Sequence, residues 1–248
     1  MPDIPHLEQL NNSKSLFIDR YDLKEILLQN PIWVRLNMVS SLDGSVVFNG
    51  KSGELGNKAD QELLVTLRLF ADVIVIGSST FKAEGYGPIN LREEFRQVRI
   101  SRGMAELPKF AIVTNRGALD FENEIFSNSS RKPIIITTEQ ALDHGSNELA
   151  NYSDLLVCGQ VTVDPRLIIE KFGALGLKSV LLEGGPRLNS SFLKANSINE
   201  ICLTLSPALA GKQDSSIFGN AELENLVKLH LVSVIEDDGF LFLRYFVS

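Results

Sequence analysis

Hydrophobic and polar residues are arranged along the chain in blocks that predict strands separated by helices. Trp33–Met38 alternates apolar and polar residues with a period of two, which is typical of a half-buried strand. Ala71–Ile76 is an almost continuous apolar run, which is typical of a strand buried on both faces of a parallel sheet. Further strands are predicted at Phe110–Val113, Pro133–Thr137, Asp154–Val157 and Ser179–Leu182.

The segments between these strands predict helices that would cover the sheet. Asn57 is a good N-cap and Asp60 lies three residues later, as in a capping box, so a helix is predicted to about Phe70. Two more helices are predicted, one from about Glu139 to Leu149 and one that Asp164 caps and that ends at Phe172. The segment from Glu84 to Leu107 has no regular pattern.

The end of the chain predicts antiparallel structure. An acidic turn with a glycine, Glu236–Gly239, separates the apolar runs Leu229–Ile235 and Phe240–Phe246, which indicates a hairpin. The predicted fold is therefore α/β, with a mainly parallel central sheet, flanking helices and an antiparallel C-terminal hairpin. We expect residues 1–30 to form an N-terminal extension and residues 31–248 to form one domain.

Composition excludes several classes of protein. A formal net charge of −7 argues against nucleic acid as a partner. No apolar run approaches the roughly 20 residues that span a bilayer, and the first residues lack the apolar core of a signal peptide, so we expect a cytoplasmic protein without a membrane partner. We also expect two buried, reduced thiols and no metal site, because no metal-ligand spacing joins Cys158, Cys202, His6, His144 and His230.

The segment Leu182–Asn189 contains the strongest candidate binding feature. Gly184 and Gly185 follow a buried strand, and the absence of Cβ atoms would let a ligand approach the backbone closely. Pro186 suits the first position of a helix, whose N-terminus would attract a phosphate. Arg187 could neutralise that phosphate. The alternatives are a simple tight turn and an exposed helix arginine.

Other polar residues also follow predicted strands, where ligands bind in open α/β sheets. Gly77–Thr80 ends one strand. Thr114–Arg116 ends the next, and Arg116 could clamp the 2′-phosphate of NADP, although a solvated turn explains these residues equally well. The sequence has no G-x-G-x-x-G after the first strand, which argues against an ordinary Rossmann dehydrogenase.

Asp43 lies in the Asp-Gly pair just after the first predicted strand. It is either a turn residue or a carboxylate that orients the substrate or relays a proton. Asn37, inside that strand, needs partners that are either protein or ligand. Lys58, Asp60 and Arg68 are candidates for substrate binding, with cap and surface roles as the alternative.

Three segments, Asn37–Gly44, Leu67–Thr80 and Leu181–Asn189, together resemble the reductase domain of riboflavin biosynthesis, a relative of dihydrofolate reductase. The resemblance covers about residues 31–246. It implies a dihydrofolate-reductase-like fold, NADPH as hydride donor and a homodimer. It also implies a pyrimidine substrate with a 5-phosphoribosylamino group, which is reduced from ribosyl to ribityl.

The resemblance also implies roles for single residues. The catalytic residues would be Asp43 and Asn37, with Asp43 as the first candidate for relaying a proton or orienting the substrate, and water as its rival. Ser41, Lys58, Asp60 and Arg68 would contact the substrate. The cofactor would be bound by Gly77, Thr80, Thr114, Asn115, Arg116, Glu183, Gly184, Gly185, Pro186 and Arg187.

The sequence departs from this family at the residues expected to bind the substrate phosphate. Lys58 stands where an arginine-rich turn is expected, and Glu84–Pro88 is followed by arginines only further on, at Arg92, Arg96, Arg99 and Arg102. Two alternatives therefore stay open: a dihydrofolate-reductase-like enzyme acting on another pterin or pyrimidine, and an NADP-binding protein without catalysis. The motifs of the family's zinc deaminase, His-x-Glu and Pro-Cys-x-x-Cys, are absent, so we expect no deaminase activity.

Overall fold

The computed structural model describes residues 7–11, 15–127, 131–143, 149–211 and 216–248. Within them the chain forms one sheet of ten strands. The strands are β1 (Leu7–Gln9), β2 (Trp33–Ser41), β3 (Val73–Gly77), β4 (Lys109–Val113), β5 (Ile134–Thr137), β6 (Asp154–Val157), β7 (Ser179–Leu182), β8 (Glu200–Ser206), β9 (Leu229–Asp237) and β10 (Phe240–Val247).

The strand order is β1-β9-β10-β8-β2-β7-β3-β4-β5-β6. From β8 to β6 every neighbouring pair is parallel, whereas β10 pairs antiparallel with both β8 and β9. The predicted parallel sheet and C-terminal hairpin are both confirmed. The carboxyl ends of the central strands β2, β7 and β3 consequently meet at one edge of the sheet.

Helices cover both faces of this sheet. They are α1 (Ser15–Tyr21), α2 (Lys24–Gln29), α3 (Lys58–Leu69), α4 (Ser78–Glu84), α5 (Glu93–Ser101), α6 (Glu139–Asp143), α7 (Leu149–Tyr152), α8 (Pro165–Ala174) and α9 (Pro186–Lys194). Alternate residues of β3 enter different cores, because successive side chains of a strand point to opposite faces. Ile74 belongs to the core that α1, α3 and α5 also enter, and Val75 belongs to the core that α8 and α9 also enter.

The helix predictions are confirmed where local capping signals exist. Asn57 Oδ1 accepts the backbone N–H of Asp60 at 2.9 Å, and Asp164 Oδ1 accepts that of Arg166 at 2.9 Å. The helix predicted from Glu139 begins as α6, and part of it, residues 144–148, lies outside the described residues. The expectation of an irregular segment from 84 to 107 is wrong, because α5 occupies its middle.

Residues before the first predicted strand also pack on the sheet. β1 pairs with β9, and Phe17 and Tyr21 of α1 are fully buried in the core. Arg35 and Arg244 donate to the carbonyl oxygens of Tyr21 and Arg20 at the end of α1. The described part of the N-terminal segment thus shares the core of the sheet, and the boundary between residues 30 and 31 stays a prediction.

A buried ionic cluster anchors these elements at the end of the sheet opposite to the carboxyl ends of the central strands. Glu200 is fully buried and accepts hydrogen bonds from Arg35 at 2.8 Å, Arg244 at 2.7 Å and the Trp33 indole at 2.7 Å. Burial acts to raise the pKa of Glu200, but the two guanidinium groups outweigh it and lower that pKa. The cluster joins β2, β8 and β10.

Candidate active site

A cleft of about 300 Å³ opens at the carboxyl ends of β2, β3 and β7. This volume is at the lower end of the range for small-molecule sites, and the position is where ligands bind in open α/β sheets. The residues that line it include Asn37 on β2, Asp60 on α3, Ser52 in the loop before α3, Thr80 and Glu84 on α4, Tyr86, and Glu183 and Gly185 after β7.

The glycine segment forms the predicted corner between a strand and a helix. Gly184 has a φ of +86°, and its carbonyl oxygen accepts the N–H of Gly77 at 2.8 Å. Gly185 precedes α9, and the peptide bond between the two glycines is cis. A Cβ on Gly185 would lie 2.3 Å from Thr80 Oγ1. The glycines thus let α4 touch the backbone of the corner directly.

Glu183, just before the corner, is held by two side chains. Arg68 donates to it from Nε and Nη2, both at 2.7 Å, and the Tyr86 hydroxyl donates at 2.8 Å. Burial, reinforced by the charge of Glu183, raises the pKa of Tyr86 well above its ordinary value. Arg68 is only 16% exposed and is engaged by Glu183, so it positions the corner.

Asp43 is also engaged within the protein. It accepts the Ser41 hydroxyl at 2.5 Å and the backbone N–H groups of Ala210 at 3.1 Å and Gly211 at 2.8 Å. These bonds, that from Ser41 foremost, lower the pKa of Asp43. Neither Asp43 nor Ser41 is among the residues that line the cleft. The carboxylate ties the turn after β2 to the loop after β8.

Asn37 and Asp60 face the cleft with polar groups that the protein leaves available. Asn37 Oδ1 is buried and has no hydrogen-bond partner among the described residues. Burial raises the pKa of Asp60, and the nearby Thr204 hydroxyl opposes that rise. Thr204 is fully buried on β8, and its Oγ1 forms no hydrogen bond of normal geometry with the described residues.

Sequence reasoning did not single out Thr204. Thr204 pairs with Val39, and Asn37 pairs with Cys202, so Asn37 and Thr204 lie two positions apart on neighbouring strands. The alternating pattern of β8 contains the signal, because Thr204 is a polar residue on the buried face that Cys202 shares.

The predicted turn after β4 lies away from the cleft lining. Thr114 Oγ1 accepts the N–H of Gly117 at 3.1 Å, and Asn115 Oδ1 accepts that of Val163 at 3.0 Å. Arg116 and Arg187 are exposed. The turn after β4 and the glycine corner after β7 both follow parallel strands at the same edge of the sheet, so an extended ligand could reach both.

The cations considered for a substrate phosphate lie elsewhere. Lys58 is exposed in the first turn of α3 and does not line the cleft. The four arginines after residue 90 are engaged by other groups: Arg92 by Glu62, Arg96 by Glu106, Arg102 by Asp22, and Arg99 by the carbonyl oxygens of Leu69, Ala71 and Ala105.

The described residues contain no group of three or more His, Cys, Asp or Glu side chains that could hold a metal ion. No helix among them has the length and apolar character needed to cross a membrane. Cys158 and Cys202 are buried free thiols, as expected.

Comparison with known proteins identifies the family. The model of the RibD C-terminal domain matches residues 32–241. The chain belongs to the RibD C-terminal domain family. This match confirms the family resemblance seen in the three motifs.

Individual relatives of this RibD-family chain are similar over most of its length. The 2,5-diamino-6-ribosylamino-4(3H)-pyrimidinone 5′-phosphate reductase of Methanothermobacter thermautotrophicus is 24% identical over 203 residues, covering 80% of this chain and 90% of the relative. A pyrimidine reductase-like protein from Corynebacterium diphtheriae has a TM-score of 0.84 and 26% identity, covering 95% and 98% of the two chains.

A second solved structure has a name that gives two activities. The diaminohydroxyphosphoribosylaminopyrimidine deaminase/5-amino-6-(5-phosphoribosylamino)uracil reductase of Thermotoga maritima has a TM-score of 0.67 and 17% identity. The match covers 91% of this chain and 59% of that one. At this identity the likeness shows a shared fold.

Proposed function

We propose that this chain is an NADPH-dependent reductase that converts the ribosyl group of a ribosylamino-pyrimidine 5′-phosphate to ribityl. Family membership supports the reaction class. The observation that carries the proposal is the corner at Gly184 and Gly185, which brings the start of α9 to the cleft beside Thr80, in a cleft that the unpartnered Asn37 Oδ1 also lines. The start of α9 suits an anion, and the Asn37 oxygen suits a donor on a polar ring.

The residues at the corner fit a dinucleotide. The N-terminus of the nine-residue helix α9, which starts at Pro186, would hold the pyrophosphate, with Arg187 beside it. Gly77, Thr80 and Gly185 would contact the nicotinamide half. Thr114–Arg116 would bind the adenosine half, where a guanidinium can grip a 2′-phosphate with two charge-assisted bonds.

When bound, NADPH supplies the hydride. The reduction adds that hydride to C1′ of the ring-opened imine and one proton to the imine nitrogen, which leaves a secondary amine and NADP⁺. The protein needs to orient the two reactants and exclude bulk water. Asn37 and Asp60 would orient the pyrimidine, and Arg68 would position Glu183. Asp43 would shape the turn, and water would deliver the proton.

Loss of NADPH absorbance tests the proposal. The protein is mixed with NADPH and, in parallel, with a ribosylamino-pyrimidine phosphate or with dihydrofolate. We expect oxidation of NADPH only with the pyrimidine. NADPH binding without turnover of either compound would instead support a cofactor-binding protein without catalysis.

A second candidate function, reduction of another pterin or pyrimidine, is favoured by one observation. Arg92, Arg96, Arg99 and Arg102 are all engaged away from the cleft, although a phosphorylated substrate calls for cations. Turnover of dihydrofolate in the same assay would support it.

The family resemblance also leads us to propose a homodimer in the cytoplasm, and light scattering would test the dimer.

A further inference from the structure

The C-terminal part of the sheet has one face that lies outside both hydrophobic cores. Phe242 of β10 belongs to the core that α1 and α3 also enter, and Arg244 reaches the buried ionic cluster, so both point to that side of the sheet. Successive side chains of a strand point to opposite faces, so Leu241, Leu243 and Tyr245 point to the other side. All three are half-buried, and among the described residues they belong to neither core.

The register of the strands extends this face across the sheet. Leu243 pairs with Val234 of β9, and Val234 pairs with Leu7 of β1, so one apolar row crosses three strands. A second row joins Tyr245 to Leu231 of β9. Leu7 is 57% exposed. The C-terminal sheet face is formed by Leu7, Leu205, Leu231, Val234, Leu241, Leu243 and Tyr245.

The composition of this face is unusual for one that contacts water. An antiparallel sheet with one solvated face alternates apolar and polar residues, whereas the only charged residue of β10 is Arg244, which points to the buried side. Three strands about 4.8 Å apart, with eight residues of about 3.4 Å each, cover roughly 400 Å² in projection. A contiguous apolar patch of this size marks an interaction site.

The charges around the C-terminal sheet face fit a second copy of the chain. None of the residues that form the face is charged, so a two-fold axis through its centre brings no like charges together there. The two ends of β9 differ in charge, because the exposed Lys228 precedes it and the acidic segment Glu236–Asp238 lies at its end. If the axis crosses the strands, the strands of the two copies run antiparallel, and Lys228 of each copy meets the acidic segment of the other.

The segment before β9 enlarges the apolar surface. Leu226 is 94% exposed and Leu223 is 43% exposed. This segment borders the C-terminal sheet face, because the Lys228 carbonyl oxygen accepts the N–H of Ser248, just after β10, at 3.1 Å. A stable interface buries roughly 800 Å² per partner. The strands supply at least about half of that area, and the leucines before β9 add to it.

We propose that two copies of this chain pack against each other through the C-terminal sheet face, about a two-fold axis near Leu243. The inference rests on the homodimer proposed above and names the surface that forms it. Sheets that pack face to face lie about 10 Å apart, so the leucines of the two copies interdigitate.

Sedimentation equilibrium of the full chain tests the inference. We expect the parent to be a dimer. Leu243→Glu should raise the dimer dissociation constant at least about 100-fold, since a two-fold interface loses its central contact in both copies. Leu28→Glu is the matched control and should leave that constant within about twofold, because Leu28 is a 75% exposed leucine on α2, which contributes nothing to the face.

Two further variants test the arrangement of the two copies. Leu243→Lys should dissociate the dimer as Leu243→Glu does, and a mixture of the two variants should associate at least about tenfold more tightly than either alone. Lys228→Glu changes only an exposed position, so it leaves the core intact. It should raise the dissociation constant about tenfold at low ionic strength, and less in high salt, because it faces the acidic segment of the other copy.

A monomeric parent, an unchanged dissociation constant in both Leu243→Glu and Lys228→Glu, or a mixture that associates no better than its components would overturn the inference. Oxidation of NADPH, measured on the same proteins, separates this result from the proposed activity. A parent that dimerises through the face without oxidising NADPH supports the interface and refutes the reductase. A monomer that oxidises NADPH does the reverse.

Discussion

The contact between Gly185 and Thr80 gives a quantitative prediction about the cofactor site. Gly185 has φ −83° and ψ −167°, which any residue can adopt, so Gly185→Ala changes only the space around one atom. The new Cβ would lie 2.3 Å from Thr80 Oγ1 and 3.6 Å from Thr80 Cβ. Thr80 Oγ1 and the new Cβ must move apart by at least roughly 0.7 Å, through a rotation of the Thr80 side chain or a shift of the backbone, and such overpacking costs about 1–3 kcal/mol.

Either movement alters the contact between α4 and the start of α9, at the place where we propose that the pyrophosphate binds. We therefore expect Gly185→Ala to weaken NADPH binding about 10- to 100-fold, since 1.4 kcal/mol corresponds to a factor of ten. Thr80→Ala removes the hydroxyl and leaves an ordinary contact at 3.6 Å, so the double variant should recover most of the affinity. The expected coupling energy is about 1–2 kcal/mol.

Calorimetric titration with NADPH measures the affinity of four proteins: the parent, Gly185→Ala, Thr80→Ala and the double variant. Urea unfolding measures the free energy of unfolding of the same four. Gly173→Ala in α8 is the control, because a Cβ there meets nothing within 4 Å. It should leave NADPH binding unchanged and stabilise the fold by up to about 1 kcal/mol. If Gly185→Ala binds NADPH like the parent, or if Thr80→Ala does not rescue it, the contact does not organise the site.

Three further predictions concern other residues. Glu200→Gln should lower the free energy of unfolding by about 3–5 kcal/mol in urea, because it leaves the buried Arg35 and Arg244 without their counter-charge; a loss below about 1 kcal/mol would contradict this. Asp60 has a raised pKa in the folded state, so it binds protons more tightly there than in the unfolded chain, and its contribution to stability falls as pH rises above 3.8. The free energy of unfolding of Asp60→Asn should thus exceed that of the parent at pH 7, and the difference should shrink toward pH 4. A difference that does not change with pH would refute the assignment. Arg116→Ala should weaken NADPH binding about 10- to 100-fold and leave NADH binding unchanged, and equal losses for both cofactors would remove the 2′-phosphate role.

Features of this fold that depend on neighbouring residues could be predicted from the sequence. Asn57 and Asp164 cap their helices through bonds to residues two or three positions away. The glycine corner and the hairpin turn at Glu236–Gly239 likewise depend on local backbone requirements. These signals agree with the hydrophobic pattern, and agreement across levels makes such elements predictable.

The helix α5 could not be predicted in this way, because its buried face includes a charged residue. Arg99 is 1% exposed, and burial lowers its pKa to about 10. It is tolerated there because it donates to the carbonyl oxygens of Leu69 and Ala71 at the end of α3. Those partners lie far away in the sequence, so the pattern around Arg99 resembles an exposed segment.

The same long-range dependence explains which candidate site residues the structure brings into the cleft. Asp43, Arg68 and Glu183 are polar residues at strand or helix ends, as is Asp60, and Asn37 is a polar residue within a strand; the sequence does not separate Asn37 and Asp60 from the other three. The first group is satisfied by distant partners, as when Asp43 accepts the N–H of Gly211. Asn37 keeps an acceptor without a protein partner among the described residues, and Asp60 keeps its carboxyl at the cleft. An unsatisfied buried acceptor costs stability, and a donor on a ligand offsets that cost where the acceptor lines a cleft, as Asn37 Oδ1 does, so the coincidence of the two features favours a substrate that binds beside Asn37.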